Sequence, residues 1–211
     1  MASDPRWCRS LPAWLSLIDT WMRRAEPQDI ADFSVFLDFR AVHGESALAQ
    51  ELRDSIHVSL PQEPALLYQL TRNALTFRPP TRLPGNIYLG GAAEHAGEID
   101  LKDALMPIVT FARVYAARHR IAQTHTLERI DALAAADLLP SANRDEIAGA
   151  YDFLVRTRLQ TQLSNLRAGR PPTGSVQLAR LGPTQRDLLR GAFAQIAAVQ
   201  KQIGYEFPEV G

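Results

Sequence analysis

Three arginines lie within predicted helices that are apolar on nearly every side. Arg40 belongs to the segment 33–42, and Arg113 and Arg156 hold comparable positions in later segments. A helix that is apolar all round is buried, and an unpaired charge inside a protein is strongly destabilising. Each of these guanidinium groups is therefore expected to have an acidic partner or an anionic ligand.

The same pattern allows two interpretations. In the first, the arginines form an internal ion-pair network that fixes helix register, because buried polar groups usually satisfy one another. In the second, Arg40, Arg113 and Arg156 line a cationic pocket that binds an anionic ligand or the phosphates of a nucleotide. The acids available for pairing are Asp38, Asp100, Glu128 and Asp152. Weaker members of the set, whose helices have clear polar faces, are Arg53, Arg129 and Arg158.

Asp100 and Lys102 alternate along a short segment that is predicted to be a strand. They would share one face, where they could pair or contact a ligand jointly. Gly90-Gly91 precedes Glu98-Ile99-Asp100, and a glycine-rich turn before an acid-x-acid strand is how nucleotidyltransferases hold phosphate and two metal ions. The spacing is too short for that motif, so a surface hairpin is the favoured interpretation.

Other catalytic signatures are missing from the sequence. It contains neither a GxxxxGK[ST] phosphate loop nor a GxGxxG dinucleotide motif. The five histidines are scattered, and Cys8 is the single cysteine. Neither a zinc site nor a disulfide framework is expected.

Arg113 and His119 resemble the Arg/His pair of helical HEPN ribonucleases. The polar residue that usually follows the arginine in those enzymes is Val114 in this sequence. A ribonuclease is therefore kept as an alternative function.

Trp7, Trp14 and Trp21 recur at intervals of seven residues. The favoured interpretation is one apolar helix face. An exposed version of the same face would be a docking or dimerisation surface, so an interaction or regulatory module is a second alternative.

Composition limits the function classes. The chain has 211 residues, 46% of them hydrophobic, and 23 basic side chains balance 23 acidic ones. A zero net charge argues against a partner that is bulk nucleic acid or a membrane surface. Residues 1–105 carry 10 basic and 14 acidic side chains, whereas residues 106–211 carry 13 and 9. With no membrane-spanning run and no signal peptide in the sequence, a cytoplasmic location is expected.

Hydrophobic periodicity and turn residues predict an all-α chain. The expected class is a multi-helix up-and-down bundle, one domain over 1–211, with an inserted loop or small hairpin near residues 78–103. In that insert, Ile87-Tyr88-Leu89 and Glu98-Ile99-Asp100-Leu101 are the predicted hairpin strands. The predicted helices are 7–25, 29–42, 45–60, 65–77, 104–120, 126–137, a long helix from Ser141 or Asn143 through Leu166, and a last helix from Pro183 or Thr184 to near Gly204.

The order of these features resembles the nucleotidyltransferase substrate-binding domain that follows a catalytic domain in bacterial signal-transduction proteins. Those parent proteins are similar to the protein-PII uridylyltransferase group. The landmarks run across nearly the whole chain: Trp7, Trp14, Phe36-Leu37-Asp38-Phe39-Arg40, Gly44, Arg53, Asn73-Ala74-Leu75, Pro79-Pro80, Ile99-Asp100-Leu101-Lys102, Pro107-Ile108-Val109, Arg113, Thr126-Leu127-Glu128-Arg129, Phe153, Arg156, Arg158, Gln162, Gly169-Arg170-Pro171 and Phe193.

The resemblance implies a non-catalytic helical domain that orients a nucleotide or an acceptor for an upstream catalytic domain. It implies no cofactor on this domain, with Mg²⁺ and a nucleoside triphosphate bound by the catalytic domain. Its further partners would be CBS or cyclic-nucleotide-binding modules, and Met1 would be an internal residue of a longer protein. The expected substrate-binding residues are Asp38, Arg40, Arg53, Asn73, Asp100, Lys102, Arg113, Arg129 and Arg156.

Overall fold

A computed structural model of the chain describes residues 4–77, 82–83, 87–88, 98–178 and 181–208. Short 3₁₀ turns occupy Pro5–Trp7 and Leu60–Gln62. The α-helices of the described residues are α1 (Leu11–Arg24), α2 (Pro27–Phe36), α3 (Ser46–Ser59), α4 (Pro64–Thr76), α5 (Leu101–Arg118), α6 (Thr126–Ala135), α7 (Ser141–Arg167) and α8 (Pro183–Glu206).

Within the described residues, four short strands form two antiparallel pairs. β1 (Arg82–Leu83) pairs with β2 (Ile87–Tyr88), and β3 (Glu98–Asp100) pairs with β4 (Ser175–Gln177). The predicted pairing of the 87–89 segment with the 98–101 segment is wrong. Ile99, the apolar centre of β3, lies opposite Val176 instead, and both are buried.

The predicted all-α class, a multi-helix bundle with a small hairpin near residues 78–103, is confirmed. Most helix bounds agree with the prediction to within a few residues. The largest differences are α2, which ends at Phe36 rather than near Val42, and α1, which begins at Leu11. Trp7 therefore lies in a 3₁₀ turn before α1. Helix α6 begins at Thr126, and His125 holds the extended cap position before it.

Contacts divide the chain into two units. Unit 1 contains the described residues of 1–72, 112–136 and 207–211, and unit 2 contains those of 73–111 and 137–206. The single domain over 1–211 stays a prediction.

Unit 1 is built on helices whose apolar residues recur every three or four positions. The α1 residues Ile18, Trp21 and Met22 are buried, as are Leu52 and Ile56 of α3. An aromatic row continues this packing: Trp14 stacks on Phe36 at 4.7 Å between ring centroids, and Phe36 stacks on Phe39 at 4.8 Å. The tryptophan face predicted from the sequence is thus largely packed against other aromatic rings of unit 1.

Unit 2 is organised around the long helices α7 and α8, which pack against each other. The side chains of Leu154, Phe193 and Ile196 are fully buried. Asp100 ends β3 and caps α5, because its Oδ1 accepts a hydrogen bond from the backbone N–H of Lys102 at 2.8 Å. Lys102 therefore lies in the first turn of α5, and the prediction that both residues share a strand face is wrong.

Candidate functional site

In unit 1, Asp38 lies two residues beyond the end of α2, and its carboxylate pairs with two arginines. Nη2 of Arg113 on α5 is 2.5 Å from Oδ2 of Asp38, and Nη1 of Arg129 on α6 is 2.6 Å from Oδ1. The Arg129 side chain is only 4% exposed, and that of Arg113 is 16% exposed. We call Asp38, Arg53, Arg113 and Arg129 the Asp38 network.

The arginines also bind the carbonyl groups that follow α2. Nη2 of Arg129 donates to the carbonyl of Leu37 at 3.1 Å, and Nη2 of Arg53 donates to that of Phe39 at 2.9 Å. Carbonyl groups at the end of a helix lack partners within the helix, and cations are favourable there. The network therefore stabilises the chain at the point where α2 ends. The apolar run 33–42 carries no signal for a helix that ends at Phe36.

Most donors of the network are already used inside the protein. Nε of Arg129 donates to the carbonyl of Gln123 at 2.7 Å, so all three of its nitrogens are engaged. Nη1 of Arg53 donates to the carbonyl of Ala122 at 3.0 Å, and its guanidinium lies 4.8 Å from the ring centroid of Phe39. Arg113, by contrast, has a buried Nε without a hydrogen-bond partner among the described residues.

The electrostatics agree with a closed network. Burial lowers the pKa of the Arg129 guanidinium, with the charge of Asp38 opposing the shift, and burial also lowers the pKa of Arg53. Burial and the charge of Arg53 lower the pKa of His57. The cavity beside these side chains has a volume of about 10 Å³, which is room for one water at most. The geometry favours the interpretation as internal ion pairs over that of a ligand pocket.

Two predicted members of the cationic pocket are exposed, so the prediction of burial is wrong for both. Arg40 is exposed because α2 ends before it. Arg156 lies on α7 in unit 2, where its side chain is 73% exposed and pairs with Asp152 one turn earlier at 2.6 Å. Arg129, which lies on a helix with a clear polar face, is nevertheless the most buried arginine of the Asp38 network.

The remaining predicted site residues lie in unit 2. Asp100 and Lys102 are both exposed at the start of α5. Asn73 lies within α4, but its side chain is outside the described part of the structure. Their roles in substrate binding stay predictions.

The alternative of a HEPN ribonuclease, which depends on Arg113 and His119, stays a prediction. Arg113 donates to Asp38, whereas His119 follows the end of α5 at Arg118.

Unit 2 contains a cleft that the sequence analysis did not single out. Its volume is about 470 Å³, within the range of small-molecule sites. We call it the α7 cleft. Its lining comes from one face of α7, the segment that follows it, the β3–β4 ribbon and the start of α8: Glu98, Thr157, Gln160, Thr161, Ser164, Asn165, Arg170, Thr173, Ser175, Val176, Gln177, Leu181 and Gln185.

Hydrogen bonds fix the rim of the cleft. Arg170 donates from Nε and Nη2 to Oδ1 of Asn165 at 3.2 and 3.1 Å, and its backbone N–H donates to the carbonyl of the same residue at 2.8 Å. Nε2 of Gln162 donates to the carbonyl of Pro172 at 3.2 Å. The segment after α7 is thus held against its last turns.

Gly174 lets the ribbon approach α7 closely. A Cβ at this position would lie 2.8 Å from Nε and 3.1 Å from Cγ of Arg158. The Gly174 carbonyl also accepts a hydrogen bond from the N–H of Leu101 at 3.3 Å. Arg158, a weaker candidate for an anion ligand, lies beside Gly174, and its role as a ligand stays a prediction.

Several polar groups of the cleft remain open. The side chains of Gln160, Ser164 and Gln177 make no hydrogen bond to the described residues, and all three are exposed. Sequence reasoning missed them because it followed charged residues. The available signal was an uncharged polar stripe on one helix face, at i, i+3, i+4, i+7 and i+8: Thr157, Gln160, Thr161, Ser164 and Asn165.

Unit 1 also has a groove of about 440 Å³ beside Trp7 and Trp21. Its cations are engaged locally, since Arg24 pairs with Asp29 at 2.7 Å and Arg6 pairs with Asp4 at 2.7 Å. The α7 cleft, with open donors and acceptors, is therefore the stronger candidate for ligand binding.

Two searches of the described residues complete the survey. No group of three or more His, Cys, Asp or Glu side chains among them could hold a metal ion. None of the helices within those residues is long and apolar enough to cross a bilayer.

Comparison with known proteins gives one match. The model of the family described as "Putative nucleotidyltransferase substrate binding domain" matches residues 64–207, more than half of the chain. Neither a curated protein nor a solved structure matches the sequence. Every lining residue of the α7 cleft lies inside the matched range, whereas Asp38 and Arg53 lie outside it.

Proposed function

The chain belongs to the nucleotidyltransferase substrate-binding family, and from this membership we propose that it binds one substrate and orients it for a catalytic domain. The α7 cleft is the proposed binding site. Holding a reactant in the right orientation accelerates transfer without a chemical step by the holder. The function is therefore one of positioning.

The observation that carries this proposal is the position of the cleft within the family match. The range 64–207 includes α7, the β3–β4 ribbon and the start of α8, and these elements build the cleft. The Asp38 network supports the same choice, because most of its donors, including all three nitrogens of Arg129, are occupied by Asp38 and by backbone carbonyls.

The partners belong to the proposal as well. An upstream catalytic domain would bind Mg²⁺ and the nucleoside triphosphate, and CBS or cyclic-nucleotide-binding modules would regulate it. A cytoplasmic location fits this assignment. The acceptor is then either a protein, as for the PII-modifying enzymes, or a small molecule.

The test is a nucleotidyl-transfer assay that uses labelled nucleoside triphosphate. The catalytic domain is the one encoded by the same gene or by a neighbouring gene. Gln160→Ala is expected to raise KM for one substrate about tenfold with little change in kcat, because it removes a binding contact. Arg167→Ala, at the exposed end of α7, is the matched control and should leave KM unchanged. Equal kinetics for all three proteins would contradict the proposed role.

A second candidate function, self-association, is favoured by one observation. Leu159, Leu163 and Leu166 of α7 are 56%, 47% and 57% exposed, and their spacing places them on one helix face. Light scattering tests it: Leu163→Ser should convert a dimer to a monomer. A wild-type chain that is monomeric at high concentration would contradict it.

A further inference from the structure

We propose that the α7 cleft binds a neutral, hydroxyl-rich small molecule, such as a sugar or the sugar of a nucleoside, rather than a polyphosphate. This inference rests on the proposed function, because it names the substrate class of the same site. Four features of the cleft carry it: its charge, its hydrogen-bonding groups, its floor and its size.

Charge argues against a polyphosphate. Among the described lining residues, Glu98 is the only acid and Arg170 the only cation. The Arg170 guanidinium already donates twice to Asn165. A triphosphate needs several cations or backbone donors around it, so this lining would leave most of its charge without a partner.

The hydrogen-bonding groups match hydroxyls. A Ser or Thr hydroxyl and a Gln or Asn amide can each donate and accept, as a sugar hydroxyl does. Gln160 and Ser164 lie one turn apart on α7, and positions four apart on a helix are about 5–6 Å apart at Cβ. Gln177 faces the same cleft from β4. Together they present open groups from two elements to one ligand.

The floor of the cleft is apolar. Val176 and Leu181 line it and are only 6% and 8% exposed. A sugar ring has C–H groups on its faces, and burial of those groups against aliphatic side chains is favourable. The described lining includes no aromatic side chain, so a planar base would find no stacking partner there. This feature favours the sugar over the base as the bound group.

The size is consistent with one such molecule. A volume of about 470 Å³ lies in the lower half of the range for small-molecule sites, roughly 300–1,000 Å³. A monosaccharide or a nucleoside fits within it.

The experiment uses the full chain labelled with ¹⁵N and follows the side-chain amide resonances of Gln160 and Gln177. The probes are methyl α-D-glucopyranoside, uridine and inorganic triphosphate, each titrated separately. Saturable shifts of these resonances with a neutral probe, and weaker ones with triphosphate, are the expected result. Gln160→Ala should weaken neutral-probe binding about tenfold, through loss of hydrogen bonds.

Ser164→Leu is the second cleft variant, since an exposed serine on a helix tolerates leucine and the added side chain fills the cleft. Ser16→Leu, at an exposed position of α1 in unit 1, is its matched control and should bind like the wild type. Backbone spectra report whether each variant is folded.

The inference is overturned if neither neutral probe shifts these resonances, if triphosphate binds more tightly, or if both cleft variants bind the neutral probes unchanged. Its failure differs from failure of the proposed function. If the cleft variants impair transfer while neutral probes do not bind, the function stands and the ligand class is wrong. If neutral probes bind but the cleft variants have unchanged transfer activity, the ligand class stands and the proposed function is wrong.

Discussion

The Asp38 network of unit 1 and the α7 cleft of unit 2 use polar side chains in opposite ways. In the network, buried or half-buried charged donors bind a carboxylate and backbone carbonyls. In the cleft, uncharged donors and acceptors stay exposed and open. Satisfied buried groups fix a structure, whereas open groups are available to a ligand. Under the proposed function, charge alone is therefore a poor guide to the binding site.

The largest expected effect comes from breaking the network. Asp38→Ala would leave Arg129 buried without its carboxylate, and we expect a loss of about 3 kcal/mol in the free energy of unfolding. Urea denaturation measures it. Asp152→Ala is the control, because it breaks an exposed pair with Arg156 and should cost less than about 0.5 kcal/mol. Equal losses in the two variants would show that the network is no more structural than a surface ion pair.

A second substitution, at Gly174, tests the packing beside the α7 cleft in unit 2. Gly174→Ala forces a Cβ against Arg158, and we expect a loss of about 1–2 kcal/mol from overpacking. Gly149→Ala, within α7 and in open space, is the matched control and should instead stabilise the chain by about 0.5–1 kcal/mol. Thermal or urea unfolding gives both values. A neutral Gly174→Ala would mean that Arg158 moves freely away from the ribbon.

A smaller effect is expected where β3 meets α5. Asp100→Ala removes the cap on the Lys102 N–H, and the expected loss is about 1 kcal/mol. Asp100→Asn keeps an acceptor oxygen and should recover most of it, as seen by urea unfolding. If Asp100→Ala lowers substrate affinity but not stability, the residue binds ligand as the sequence predicted.

The smallest expected effect is a pH dependence of the free energy of unfolding that comes from His57 in unit 1. Burial and the charge of Arg53 lower the pKa of His57 in the folded state; Asp54 opposes this shift, and Arg120 and Arg129 add to it. Between the unfolded pKa of about 6.5 and the lower folded pKa, the unfolded chain binds more protons than the folded chain, so stability falls as the pH falls through this range. His57→Gln should flatten this dependence. An unchanged slope of unfolding free energy against pH would contradict the burial of His57 as its cause.

Helical periodicity and turn residues were sufficient to predict the fold class and most helix bounds. They failed at α2, because the run that includes Phe39 and Arg40 reads as a continued helix. The signal that ends α2 comes from Arg129 and Arg53, which are distant in sequence and bind the freed carbonyls. A local pattern cannot contain that information.

The candidate site was less predictable. Asp38 and Arg113 pair with each other, which agrees with the need for partners inferred from their apolar segments, although both are only half-buried. Which residues pair with each other depends on where the tertiary fold places them. The exposure of Arg156 depends on the tertiary fold as well. The cleft was overlooked because Gln160 and Ser164 look like an ordinary solvated face until the β3–β4 ribbon places a second wall beside them.

The most direct test measures KM for transfer and the free energy of unfolding in the same two variants, Ser164→Leu and Arg113→Met. The account predicts that Ser164→Leu raises KM several-fold with unfolding unchanged. It also predicts that Arg113→Met destabilises the chain with KM unchanged, because its partner Asp38 keeps only Arg129. The reverse pattern would be a KM that Arg113→Met raises and Ser164→Leu leaves unchanged. That result would place the substrate at the Asp38 network and contradict the account.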